Sequence, residues 1–182
     1  MKFLDRYLQG WRMSKIVPFV PKRSTLLDVG TARGQLFEML GDRIRFGIGM
    51  DSRLLKVMER GRYRIIPAEF PDEVPLSEKF DVITMLAVLE HFPKEALDRC
   101  CEICSSLLNP GGYVIITVPS KYVDRILGVL RSLRLVDAET LDEHHGFDIS
   151  KIREIFPSGS FQLLYENKFQ LGLNNMFVFR KK

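Results

Sequence analysis

Hydrophobic and polar positions follow two rhythms along this chain. Over residues 2–16, Phe3, Tyr7 and Trp11 recur every fourth position, the spacing of one helical face. Pro18 and Pro21 end that helix, and residues 24–29 then form a short apolar run that reads as a buried strand. Beyond it the pattern predicts a helix over 33–41, a strand ending at Asp51, a helix over 52–60 and a short strand over 63–66. A proline-rich acidic connection, 67–79, leads to a strong apolar strand at 80–86. A helix begins near Pro93 and runs through Leu108, the segment Asn109-Pro110-Gly111-Gly112 signals a turn, and 113–119 is another buried strand. Helices are expected over 122–135 and 149–156, and the chain closes with two strands, 160–169 and 174–180, joined by a link short enough for an antiparallel return.

Strands that alternate with helices and end in such a pair predict an α/β fold with a mostly parallel sheet, covered on both faces. One domain is expected over 1–182, with 1–20 as a covering helix and 119–148 as a substrate or lid insertion.

Composition narrows the class only a little. A chain that is 46% hydrophobic and 27% charged is ordinary for a globular protein. No apolar run approaches the roughly 20 residues of a membrane span. The first fifteen residues, interrupted by Asp5, do not read as a signal peptide, so the cytoplasm is the expected compartment. Cys100, Cys101 and Cys104 are too closely grouped for a disulfide framework and are expected to be buried thiols. The net charge of +4 is mild, and the basic residues near the two ends of the chain read equally as solvated charges or as a match to an anionic substrate.

The chemistry is concentrated in Leu26-Leu27-Asp28-Val29-Gly30-Thr31-Ala32-Arg33-Gly34. A strand feeding a small-residue turn and a helix can bring backbone N–H groups towards a ligand. A dinucleotide fingerprint starting at Gly30 would need glycine where Ala32 and Gln35 stand, and the lysine of a phosphate-binding loop is missing. Asp28 at the strand end suits a ligand with positive charge or hydrogen-bond donors. Asp51 ends the next strand, where a carboxylate can accept both hydroxyls of a ribose. Together they describe an adenosyl group with a cationic, amino-acid-like end.

On these residues the chain resembles the class I S-adenosylmethionine-dependent methyltransferases over essentially its whole length. The segment 26–34 resembles the family's first motif, Gly47-Ile48-Gly49-Met50-Asp51 its ribose-binding strand end, 80–92 its fourth-strand motif, and 107–119 the fifth strand with its preceding turn. The resemblance implies a Rossmann-like sheet of seven strands in the order 3-2-1-4-5-7-6, strand 7 antiparallel, and S-adenosyl-L-methionine as cofactor, leaving S-adenosyl-L-homocysteine. The implied cofactor residues are Asp28, Gly30, Thr31, Ala32 and Gly34 in the first turn, Asp51 and Ser52 after the second strand, Ala68 and Glu69 after the third, and Met85 on the fourth. Ala32 replaces the motif's middle glycine, which fits if its φ is negative. Pro67 stands where the family often has an adenine-side acid, leaving Ala68, Glu69 and Phe70 for that contact. Arg33 reads equally as a contact to the cofactor carboxylate or as a solvated residue. Tyr7 or Trp11 on the covering helix is expected against the cofactor.

The fourth strand ends without the D/N-P-P-Y/F/W segment of adenine-N6 and cytosine-N4 methyltransferases. Its Leu89-Glu90-His91 ending instead resembles small-molecule methyltransferases, including those with quinone-type and sugar-type acceptors. The expected reaction is in-line methyl transfer to an oxygen, nitrogen or carbon of a small-molecule or envelope-sugar-related acceptor, anionic or sugar-linked forms included. The catalytic candidates are His91 and, from Asp142-Glu143-His144-His145-Gly146-Phe147-Asp148, His145, with Asp148 as an orienting group or a helix cap. No ligand spacing in that segment supports a metal site. Lys121 could meet an anionic acceptor, and Ile126, Leu127, Val129, Leu130 and Leu133 could form a lid, a dimer face or a membrane-facing surface. An RNA or protein methyltransferase and a non-catalytic S-adenosylmethionine-binding partner subunit remain open as alternatives, as does the oligomeric state.

Overall fold

The computed structural model describes residues 3–74, 77–120 and 148–182. The chain starts with helix α1 (Phe3–Ile16), then alternates strand β1 (Ser24–Val29), helix α2 (Gln35–Leu40) and strand β2 (Ile44–Met50). A short antiparallel pair follows, β3 (Met58–Arg60) and β4 (Tyr63–Ile66), and then β5 (Phe80–Leu86), α3 (Lys94–Leu107) and β6 (Leu108–Pro119). A short helix at Ile152–Ile155 leads into the closing hairpin, β7 (Phe161–Phe169) and β8 (Asn174–Lys181).

All eight strands form one sheet in the order β3-β4-β2-β1-β5-β6-β8-β7. The pairs from β4 to β6 are parallel, while β8 runs antiparallel to both β6 and β7. This is the expected Rossmann-like arrangement with one addition. The sheet has eight strands rather than seven, because β3 forms where a helix over 52–60 was expected.

The correction has a physical reason. A helix there would have to bury one face, yet Leu55 is 97% exposed and Val57 53% exposed, so the segment has no apolar stripe to offer a neighbour. Gly61, at φ +57, supplies a tight return, and residues 58–60 pair back onto β4 instead. The turn expected at Asn109–Gly112 is likewise absorbed into β6, as an irregularity between the pairs Phe80–Leu108 and Val82–Tyr113.

The sheet buries apolar side chains on both faces, which is why β1 is buried at all six positions. On one face Met13 and Ile16 of α1 and Leu36, Phe37 and Leu40 of α2 pack with Leu26, Val82 and Val178. On the other, Cys100, Cys104 and Leu107 of α3 pack with Leu27, Ile83 and Phe177. Cys100, Cys101 and Cys104 are free thiols. Among the described residues no helix is long and apolar enough to cross a membrane.

Register positions the site. Val29 pairs with both Met50 and Met85, so β1, β2 and β5 end at the same level. The segments that follow them are therefore gathered along one edge of the sheet, at its carboxyl end.

Candidate functional site

The turn after β1 is held entirely by its own chain. The N–H groups of Gly30 and Thr31 donate to the Met50 carbonyl at 2.8 and 3.1 Å, and the Gly34 N–H donates to Thr31 O at 3.0 Å. The Ala32 N–H donates to Asp51 Oδ2 at 3.0 Å and the Arg33 N–H to Gln35 Oε1 at 3.2 Å. From Gly30 to Gly34 every backbone donor is thus engaged inside the protein. A pyrophosphate needs such donors free, so this turn is not built as an anion cradle.

Gly30 has φ +72, and a Cβ there would press into the Val88 side chain. Gly34 has φ +83, and its Cβ would come within 2.8 Å of Ile65 Cδ1 and 2.9 Å of Tyr63 Cε2. Gly30 thus keeps the edge of the site clear, whereas Gly34 lets the start of α2 pack against β4. Ala32 is at φ +51, correcting the expectation of a negative value. An L-residue in that region costs about 1 kcal/mol. Ala32→Gly is therefore expected to stabilise the protein by up to about 1 kcal/mol, raising Tm by roughly 2–4 °C in calorimetric melts.

Two cavities meet at Gly30. The larger, about 340 Å3, is lined by Asp51, Ser52 and Arg53 after β2, by Ala68, Glu69 and Phe70 after β4, and by Ala87, Val88, His91 and Phe92 after β5. The smaller, about 50 Å3, is lined by Gln9, Arg12 and Met13 of α1, by Asp28 and Thr31, and by Gln35, Leu36 and Leu86.

Asp51 stands at the larger cavity as a well-supported acceptor. Its Oδ1 accepts from the Arg53 N–H at 3.0 Å and from Arg53 Nε at 3.1 Å, and Oδ2 accepts from Arg53 Nη2 at 3.1 Å. Burial alone would raise its carboxyl; the Arg53 side chain and backbone, with the Ala32 N–H, outweigh that and hold it below the ordinary range. Asp51 is therefore ionised at neutral pH.

Asp28 behaves differently. It is 4% exposed, and burial pushes its carboxyl up to about 6 against the Thr84 hydroxyl, which donates to Oδ1 at 2.6 Å. The nearby Thr31 hydroxyl also favours the charge, and the negative charge of Asp51 opposes it. Across the same small cavity stands Arg12, whose guanidinium is depressed by burial and supported by the charge of Glu90. Arg12 Nε and the Thr31 hydroxyl have no hydrogen-bond partner among the described residues. A half-buried cation and a buried carboxylate thus face one small polar space, the complement of an amino-acid group.

The structure brings Gly30, Asp51, Ser52, Ala68, Glu69 and His91 together at the larger cavity, and Asp28, Gly30 and Thr31 at the smaller. Ala32 lines neither, acting through its N–H on Asp51. Met85 does not reach the site: it is fully buried with Val29 and Ile83 in the core, because the strand ends only after it, and Leu86, Ala87 and Val88 line the cavities instead. Gly34, Tyr7, Trp11 and Arg33 line neither cavity; Tyr7 is exposed and meets Trp11 edge-on at 6.1 Å. The face of α1 turned to the site is set by the burial of Met13 and Ile16, which brings Gln9 and Arg12 inward. Asp148 caps the turn after it, its Oδ1 accepting from the Ser150 N–H at 3.1 Å. His144, His145, Lys121 and the apolar set from Ile126 to Leu133 lie outside the described residues.

Comparison with known proteins shows the family. The family described as Methyltransferase domain matches residues 2–165. The chain belongs to that family. This bears out the class I S-adenosylmethionine-dependent methyltransferase reading of the sequence, its Rossmann-like architecture and its cofactor class. The ubiquinone biosynthesis O-methyltransferase of Leptothrix cholodnii is 31% identical over 129 residues, covering 63% of this chain and 54% of that protein. The protein of the same name from Pseudomonas paraeruginosa is 33% identical over 133 residues, covering 65% of this chain and 56% of its own. The methyltransferase chain thus spans about half the length of the curated relatives it matches. In fold it is similar to the N-methyltransferase NodS of Bradyrhizobium japonicum (TM-score 0.67, 12% identity, 97% of this chain and 96% of that one). It is also similar to the magnesium protoporphyrin IX methyltransferase of Synechocystis, solved with bound S-adenosylhomocysteine (TM-score 0.70, 14% identity, 100% and 88%).

Proposed function

We propose that this chain transfers the methyl group of S-adenosylmethionine to an oxygen of a small-molecule acceptor. The observation that carries the cofactor assignment is the placing of half-buried Arg12 and buried Asp28 around one small cavity that meets, at Gly30, a larger one holding Asp51. A methionyl group carries one ammonium and one carboxylate, so it asks for a neighbouring acid and base. A ribose asks for an acceptor such as Asp51, and an adenine for apolar walls such as Ala68 and Phe70.

The bound cofactor supplies an electrophilic methyl group on a sulfonium. The protein's own work is positional: Asp28 and Arg12 fix the amino-acid end, Asp51 fixes the sugar, and Gly30 leaves room where the two halves join. Transfer to a hydroxyl also requires that its proton be taken. His91 is the one histidine among the described residues and lines the larger cavity, so it is assigned as the proton acceptor, with His145 as the second candidate. The oxygen preference is supported by the O-methyltransferase names of the relatives. The Leu89-Glu90-His91 ending, in place of a nucleic-acid-type segment, supports a small acceptor.

Calorimetric titration of the purified protein with S-adenosylmethionine tests the reading. Binding at micromolar Kd, roughly −8 kcal/mol, is expected, with no comparable binding of NAD. Folded protein that binds NAD or neither ligand would contradict it.

A further inference from the structure

The turn joining β7 to β8 is built against the preference of its own backbone. Gln170, Leu171 and Gly172 all have left-handed φ, at +52, +58 and +82, and only the last is a glycine. That conformation is unfavourable for an L-residue, so two of the three positions carry strain that other contacts offset. The turn divides its side chains sharply: Leu171 is 97% exposed, while Gln170 beside it is 3% exposed. The buried amide is engaged at both ends. Gln170 Nε2 donates to the Leu8 carbonyl of α1 at 2.7 Å, and its Oε1 accepts from Nδ2 of buried Asn174 at 2.5 Å. A carbonyl can only accept, so Leu8 fixes which way the Gln170 amide points.

Leu8 lies within α1, where the helical pattern already pairs its carbonyl with the Arg12 N–H. Gln170 takes the second lone pair, so the helix does not need this bond in order to form. What the bond adds is a fixed position. Met13 and Ile16 of α1 pack in one cluster with Phe169, Met176 and Val178 of the closing hairpin, but apolar packing is non-directional. A hydrogen bond to one particular carbonyl has a direction and a length. The part of the helix it grips faces the site, since Gln9, Arg12 and Met13 line the small cavity.

We infer that Gln170 is a positioning residue for the cofactor: held by Asn174, it fixes α1 so that Gln9 and Arg12 stand at the small cavity. This role rests on the cofactor reading above. It concerns the amino-acid end alone, because among the described residues none of α1 lines the larger cavity, where the adenosyl part is assigned.

Isothermal titration with S-adenosylhomocysteine, and with adenosine, which lacks the amino-acid end, separates this role from a contribution to folding. Gln170→Met keeps the length of the side chain and has no donor. Gln170→Asn keeps the amide but is too short to reach Leu8, and it suits the left-handed backbone better, which covers the case of a methionine variant that does not fold. Both are expected to bind S-adenosylhomocysteine about 3- to 10-fold more weakly than wild type, the worth of one hydrogen bond, and adenosine within about twofold of it. Gly172→Ala is the control. Its φ of +82 strains the same turn and should lower Tm, yet its Cβ meets open space and the Leu8 bond is untouched, so its affinity should stay at the wild-type level. Three results overturn the role of Gln170 and leave the cofactor reading standing: unchanged S-adenosylhomocysteine affinity in a folded Gln170 variant, equal losses for both ligands, or as large a loss in Gly172→Ala. No binding of S-adenosylhomocysteine by wild type overturns both.

Discussion

Gly30→Ala is expected to weaken S-adenosylhomocysteine binding by more than about 100-fold, roughly 3 kcal/mol, while the protein still folds. Two independent effects act at this position. The backbone is at φ +72, which costs an alanine about 1 kcal/mol. The added Cβ also presses into the Val88 side chain, and Val88 with Ala87 forms one wall of the larger cavity. Relief by moving Val88 is constrained, because the Ala87 N–H donates to the Thr117 carbonyl at 2.8 Å and Ala87 itself is at φ +56. The substitution therefore narrows the point where the two cavities meet. Titration calorimetry reads the affinity, and circular dichroism melts read the stability. Gly34→Ala is the control. Its Cβ would meet Ile65 and Tyr63, away from both cavities, so it should cost stability and change affinity much less. Equal losses of affinity in the two variants would show that the turn acts only through folding.

The second large effect is expected from Arg12→Met. Losing a charged, desolvated contact to the ligand carboxylate should weaken S-adenosylhomocysteine binding by about 10- to 100-fold. Binding of adenosine, which lacks the amino-acid end, should be unchanged. The same substitution removes a cation whose charge favours ionised Glu90, and so costs stability where Glu90 is charged.

That cost depends on pH in a definite direction. The Glu90 carboxyl is raised in the folded protein from an ordinary 4.5 to about 7, so folding disfavours its ionised form. Below the unfolded value Glu90 is protonated in both states and carries no penalty. Stability is lost as pH rises through the window from 4.5 to 7, by about 3 kcal/mol in wild type. Without Arg12 the folded value rises further, the window widens and the loss deepens. Urea melts of Arg12→Met should accordingly fall close to wild type at pH 4.5 and well below it at pH 8. Adding Glu90→Gln should restore stability at pH 8 without restoring the Arg12 contribution to ligand affinity. Stability that is equal at both pH values in Arg12→Met would rule out the coupling.

Much of the fold was legible because it is written in local patterns. The fully buried run from Ser24 to Val29, the strand from Phe80 to Leu86 and the closing pair around residues 170–173 each announce themselves within a few residues. The acids near the end of β1 and just after β2 were legible for the same reason: a charged residue at the end of an apolar strand is conspicuous, and Asp28 and Asp51 stand 23 positions apart at the ends of neighbouring strands. The segment after β2 was misread because its apolar residues permit a helix locally, and only the lack of anything to bury them against makes it a hairpin. Met85 was misplaced by a single residue of strand register, enough to move a side chain from site to core.

What the sequence by itself determined is the class of ligand, through a strand-turn-helix whose glycine spacing excludes a dinucleotide and whose two acids suit an adenosyl amino acid. Only the tertiary structure decided which charged side chains lie near that turn. Arg12 on the first helix and Glu90 after the fifth strand are 78 positions apart, and each alone reads as an ordinary surface residue. Packing of Met13 and Ile16 turns Arg12 towards the small cavity, the turn after β5 buries Glu90, and the charge of each acts on the other. Periodicity along a chain reports which face is buried; it does not report which charges burial will bring together.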